Sequence, residues 1–197
     1  ENDGSENFSE NVISTSANSA RSVYAVDVDG DGDMDVLSAS YNDDKIAWYE
    51  NDGSENFSEN VISTSANGAY SVYAVDVDGD GDIDVLSASL LDPGVIAWYE
   101  NNGSQSFTAH TIITAADWGP RSVYAADVDG DGDMDVLSAS RDASTGFDEI
   151  AWYENDGSES FTTHTITTGA ANPYSVYAVD VDGDGDMDVL SASNDDD

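Results

Sequence analysis

SVYAVDVDGDGDMDVLSAS, residues Ser22–Ser40, decides the reading of this chain. A short run of Val, Tyr and Ala leads into aspartates on alternate positions, Asp27, Asp29, Asp31, Asp33 and Asp35, and out again into Val-Leu-Ser-Ala-Ser. The flanking runs have the length and composition of strands, so the aspartates belong to the loop that joins them. Five carboxylates in nine residues repel one another unless a cation lies between them. Oxygen donors on alternate residues of a tight loop suit a hard cation that takes about six to eight oxygens, calcium before magnesium.

Working outward, the same stretch recurs from Ser71, Ser122 and Ser175, with aspartates at 76, 78, 80, 82 and 84, then 127, 129, 131, 133 and 135, then 180, 182, 184, 186 and 188. The copies begin at Asp27, Asp76, Asp127 and Asp180, spacings of 49, 51 and 53 residues, so the acidic loop belongs to a repeating unit. Residues 1–18 recur unchanged as residues 50–67, and Ile-Ala-Trp-Tyr-Glu stands at Ile46, Ile96 and Ile150. Each unit reads as four strands, which in the first are Ser22–Asp27, Asp35–Ser40, Ile46–Glu50 and Phe57–Ser63. Asn-Asp-Gly or Asn-Asn-Gly turns the third into the fourth. No apolar pattern with a helical period is sustained. Four antiparallel strands in about 50 residues is the size of a propeller blade.

The expected architecture is all-β: a β-propeller or propeller-like array of about four four-stranded blades, with the terminal blade incomplete. Approximate units are 1–20 (partial), 21–67, 68–116, 117–170 and 171–197 (partial). Counting a fourth-type strand in the opening residues, fifteen strands are expected. The strand that would join the last pair to the first is absent, which reads as a window on a longer array.

The 197 residues carry 42 Asp and Glu against 4 Lys and Arg, a net charge of -38, with 39% hydrophobic residues. That is enough apolar material for a folded core rather than a disordered acidic tail. Four divalent ions would still leave about -30, which disfavours nucleic acid and anionic membranes as partners. No apolar run approaches the ~18 residues of a membrane span, so membrane insertion is not expected. Cysteine is absent, so there are no disulfides. Loops of this type fill at extracellular calcium levels, which places the chain outside the cell or on its surface.

The order strand, Asp-x-Asp-Gly-Asp-Gly-x-x-Asp, then Val-Leu-Ser-Ala resembles the FG-GAP and VCBS repeats of integrin-α-like propellers and many bacterial secreted and surface proteins. The resemblance covers essentially the whole chain and implies a β-propeller with one calcium in each acidic loop, about four in all. Family propellers commonly have seven blades, more than the units here, and the Phe-Gly of the family name has no clear counterpart. By likeness to EF-hand-type loops, Asp27, Asp29 and Asp31 take ligand positions one, three and five. Gly32 takes the sharp turn at six, Asp33 offers its backbone carbonyl at seven, and Asp35 its carboxylate at nine. The other three copies match position by position.

The remaining chemistry is sparse. Trp48, Trp98 and Trp152, with Tyr49, Tyr99 and Tyr153, read first as packing between blades. Trp98, and Trp118 in a variable loop, are the candidates for contact with a glycan ligand. His110 and His164 replace Asn11 and Asn60 on the fourth strand and read as tolerated polar residues. No catalytic residue or phosphate loop is found, so no enzyme is expected. Asn7, Asn56 and Asn102 open sequons beside the turns. The function expected is a non-enzymatic, calcium-stabilised extracellular structural or adhesive repeat protein, self-associating or packing on neighbouring repeats. The alternative is a multivalent carbohydrate-binding module.

Overall fold

The computed structural model describes residues 4–115, 119–141 and 148–195. Its strands are β1 (Ala20–Val26), β2 (Asp35–Ser40), β3 (Lys45–Asn51) and β4 (Phe57–Ser63), then β5 (Ala69–Val75), β6 (Asp84–Ser89), β7 (Gly94–Asn101) and β8 (Phe107–Ala115). The third group is β9 (Gly119–Ala126), β10 (Asp135–Arg141), β11 (Asp148–Asn155) and β12 (Phe161–Thr167), and the last is β13 (Pro173–Val179) with β14 (Asp188–Ser193). Consecutive strands pair antiparallel into three four-stranded sheets and one two-stranded sheet. The register repeats: Tyr24 faces Leu37, Tyr73 faces Leu86, Tyr124 faces Leu137 and Tyr177 faces Leu190. Where third and fourth strands pair, a register shift recurs at Ile46/Ala47, Ile96/Ala97 and Ile150/Ala151, the kind of bulge that increases local twist.

The core lies between sheets rather than within one, so the array is propeller-like. Alternation sends Trp48 and Tyr49 to opposite faces of their sheet. Leu37, Ala39, Ile46 and Trp48 of the first sheet meet Val72, Ala74, Val85 and Tyr99 of the second. Leu86, Ala88, Ile96 and Trp98 then meet Val123, Ala125, Val136 and Tyr153 of the third. Leu137, Ala139 and Ile150 meet Val176 and Ala178 of the last. Each buried Leu or Ile contributes about 1.5–3 kcal/mol by leaving water, which is how a repeat too small to hold a core alone is stabilised by its neighbour.

First strands run side by side. Tyr24, Tyr73, Tyr124 and Tyr177 form a ladder with ring centroids 4.8, 4.7 and 4.6 Å apart. The backbone N–H groups of Val72, Val123 and Val176 donate to the hydroxyls of Ser22, Ser71 and Ser122 on the preceding sheet.

One expectation is corrected. Fourteen strands, not fifteen, occur among the described residues, because residues 8–14 form no strand beyond a lone bridge at Phe8. Their sequence, FSENVIS, is that of β4. β4 is a strand because β3 lies beside it and pairs Trp48 with Asn60. Among the described residues no third-type strand lies beside residues 8–14, and Phe8 stays exposed.

Candidate metal centre

Each acidic loop is built by its own aspartates before any ion is considered. Asp27 accepts the N–H of Gly30 on one carboxylate oxygen (2.8 Å) and that of Gly32 on the other (2.9 Å). Asp29 accepts from Asp31 N–H and Asp31 from Asp33 N–H. The same frame stands in the loops starting at Asp76, Asp127 and Asp180. Gly32 sits at φ 97°, and its counterparts Gly81, Gly132 and Gly185 at 98°, 102° and 99°. A side chain there would strain the backbone although the space around it is open.

Folding the loop gathers carboxylates. Oxygens of Asp27, Asp29 and Asp35 lie within 4.8 Å of one another, as do those of Asp76, Asp78 and Asp84, and of Asp127, Asp129 and Asp135. At that separation each ionised pair repels by about 3 kcal/mol with an effective dielectric near 20. Asp31, Asp80 and Asp131 stay outside these triads. Asp33, Asp82 and Asp133 lie against Gly53, Gly103 and Gly157 of the following turn, which leaves their backbone carbonyls as the groups to offer.

The fully buried Asp35, Asp84 and Asp135 are held by groups that sequence reasoning missed. Val28, Val77 and Val128 donate their N–H to one carboxylate oxygen. The other accepts the N–H of Asn51 (2.8 Å), Asn101 (2.7 Å) or Asn155 (2.9 Å), the last residue of the third strand. The side-chain amide of that Asn closes the loop further: Asn51 donates to Met34 O, Asn101 to Ile83 O and Asn155 to Met134 O. Asn101 and Asn155 also reach back to the preceding sheet, to Val28 O at 3.5 Å and Val77 O at 3.4 Å. Their signal in the sequence is the Asn that follows Trp-Tyr-Glu each time.

The fourth loop differs. Its triad is Asp180, Asp182 and Asp184, while Asp188 is exposed and, among the described residues, accepts only from Val181 N–H. Among the described residues no third strand joins this sheet, no Asn donates to the second oxygen of Asp188, and Asp188 is not buried. Asp186 completes the acidic run without joining the triad.

Burial pushes the Asp84 carboxyl up to about 6, against the opposing pull of the Asn101 and Val77 N–H groups. Asp135 is raised for the same reason. Asp29 and Asp78 are raised by burial, with the charges of Asp31 and Asp80 adding to it. A divalent cation among these oxygens reverses both effects. The donor set is oxygen only and fits a hard cation.

The other candidates fall elsewhere. Trp98 is fully buried between the second and third sheets and stacks on His110, so it presents no platform to a ligand; Trp118 lies outside the described residues. His110 hydrogen-bonds Glu100 (2.7 Å), and His164 stacks on Trp152 and hydrogen-bonds Glu154 (2.6 Å). In the first sheet Asn60 makes the same contact with Glu50. Asn7, Asn56 and Asn102 are exposed. No helix among the described residues is long and apolar enough to cross a membrane.

A profile of the FG-GAP-like repeat family matches this chain four times, over residues 1–38, 27–87, 76–138 and 127–191. No curated protein matches it.

Proposed function

The chain belongs to the FG-GAP-like repeat family, and from that premise we propose that it is a calcium-stabilised extracellular structural or adhesive protein with no catalysis of its own. The carrying observation is that all four acidic loops gather three carboxylates around one point, in a frame of backbone hydrogen bonds that needs no partner to form. Calcium is favoured because the donors are all oxygen and belong to a loop rather than a rigid octahedral cage. Each ion would relieve the mutual repulsion of its triad and fix the loop between the first two strands of a sheet, so binding contributes directly to folding. Loops of this class in extracellular modules fill at about millimolar calcium, which is why an extracellular setting is part of the proposal.

The net charge of -38 argues against nucleic acid as a partner, and neighbouring repeats are the partners proposed. Both histidines are committed to a Trp face and a Glu, which supports a role without acid–base chemistry. Thermal unfolding with calcium and with a chelator tests the proposal. A melting temperature that climbs with calcium concentration is expected. Equal values in calcium and chelator would overturn it.

A further inference from the structure

Two indole N–H groups are buried without an acceptor. Trp48 and Trp98 are 2% and 0% exposed, and among the described residues neither Nε1–H has a hydrogen-bond partner. An indole nitrogen only donates, and a buried donor left unmade is costly, so what each ring faces matters. Trp48 stands opposite Leu37, and Trp98 opposite Leu86. Alternation puts Asp35 and Asp84, two residues before those leucines, on the same faces as the indoles. They are the buried carboxylates of the first and second triads. Both faces are internal, Trp48 packing with residues of the second sheet and Trp98 with residues of the third.

From this placement we infer that Trp48 and Trp98 are positioning residues of the metal centre, each aiming its indole N–H at the buried carboxylate of its own sheet. The inference rests on the metal reading proposed above and adds a donor to it. A carboxylate offers about four acceptor positions. Asp84 uses one for Val77 N–H and one for Asn101 N–H. A bound cation takes a third, and the indole N–H fills the last. Asp35 has the same two backbone donors, Val28 and Asn51. The Trp98 indole already helps to hold the Asp84 carboxyl down against burial, while stopping short of a full hydrogen bond. Its ring is fixed by His110, which stacks on it with centroids 4.5 Å apart. Glu100, which shares this face, is engaged by His110 Nε2 at 2.7 Å. Groups that steady a ligand in this way raise metal affinity without touching the ion.

Proton–nitrogen correlation NMR of the whole chain, titrated from chelator into calcium, tests this. The amides of Gly32, Gly81 and Gly132 donate to Asp27, Asp76 and Asp127, so each reports the filling of its own loop. The indole N–H signals of Trp48 and Trp98, assigned in wild type through their own rings, should move downfield in step with Gly32 and Gly81. Trp98→Phe should weaken calcium at Gly81 about tenfold, the low end for losing a group that steadies a metal ligand, and leave Gly132 titrating as in wild type. Trp48→Phe should do the same at Gly32. A purely packing role would lower the melting temperature and leave these titrations unchanged. Loop amides that move with calcium while both indole signals stay, or folded variants whose loops fill as in wild type, would overturn the inference and leave the metal reading standing. If no loop amide moves, the metal reading falls and the inference with it. A variant that fails to fold leaves the decision to the wild-type indole signals, which need no substitution.

Discussion

Asn101→Ala should destabilise the protein more than Asn51→Ala, although both change the same position of the repeat. Asn101 is fully buried, and its amide serves two carbonyls, Ile83 O at 3.1 Å and Val28 O at 3.5 Å. Leaving a buried carbonyl without its donor costs about 1–3 kcal/mol. The longer contact belongs at the low end of that range and the shorter one, only partly buried, at about 1–2 kcal/mol, so the total is about 2–3 kcal/mol. Asn51 is half-exposed: its amide N–H serves Met34 O alone, with no preceding sheet to reach among the described residues, and its Oδ1 accepts from Gly53 and Glu55 N–H groups that are exposed and can turn to water instead; about 1 kcal/mol is expected. The difference of about 1–2 kcal/mol isolates the clip between sheets and corresponds to roughly 2–8 °C in Tm for a chain of this size. In both variants the backbone N–H still donates to Asp84 or Asp35, so calcium binding should persist. Urea unfolding at saturating calcium reads the difference directly. Equal losses would refute the assignment of Asn101 to the joint between sheets.

Gly53→Ala should destabilise more than Gly32→Ala. Both sit at positive φ, which costs about 1–2 kcal/mol for a side chain, but only at Gly53 does the new Cβ run into the Asp33 carboxylate; thermal melts rank the two. Asp84→Asn should lower calcium affinity more than Asp188→Asn, because Asp84 belongs to its triad and Asp188 does not; calorimetric titration checks the order, and a reversed order would contradict it. The raised carboxyl of Asp84 also sets a pH dependence in chelator. Its folded value of about 6 lies above the ordinary 3.8, so its contribution to stability is fully present below 3.8 and is lost as pH rises through about 6. Unfolding of the chelated protein at pH 5 and pH 7 should therefore show a stability loss at the higher pH that Asp84→Asn reduces; an unchanged loss in the variant would refute it.

How far the sequence could be read is clearest where one sequence has two outcomes. The strands Asp35–Ser40 and Phe57–Ser63 are predicted with the bounds they have, because composition and turns mark their ends. Residues 8–14 share the sequence of β4 and form no strand beyond a lone bridge, since strand pairing belongs to a neighbour that a local pattern does not contain. The acidic loops show the same division. Alternate aspartates and the Gly at the sharp turn are local features and are legible at once. Which carboxylates converge is decided by Asn51, Asn101 and Asn155 on a strand 16, 17 or 20 residues from the fifth Asp. In the fourth loop, where no such Asn donates among the described residues, the triad takes in Asp184 in place of Asp188. The identity of Trp98 as an interface residue was legible from alternation, and its complete burial excludes the ligand role considered beside it.

Counting calcium by native mass spectrometry, alongside a calorimetric titration, tests most directly whether the loops are metal sites. Four ions per chain are predicted, three at the triads closed by a buried Asp and an Asn N–H, and a fourth bound more weakly at Asp180, Asp182 and Asp184. A chain that binds no calcium at millimolar concentration, with loops and melting temperature unchanged, would contradict the claim.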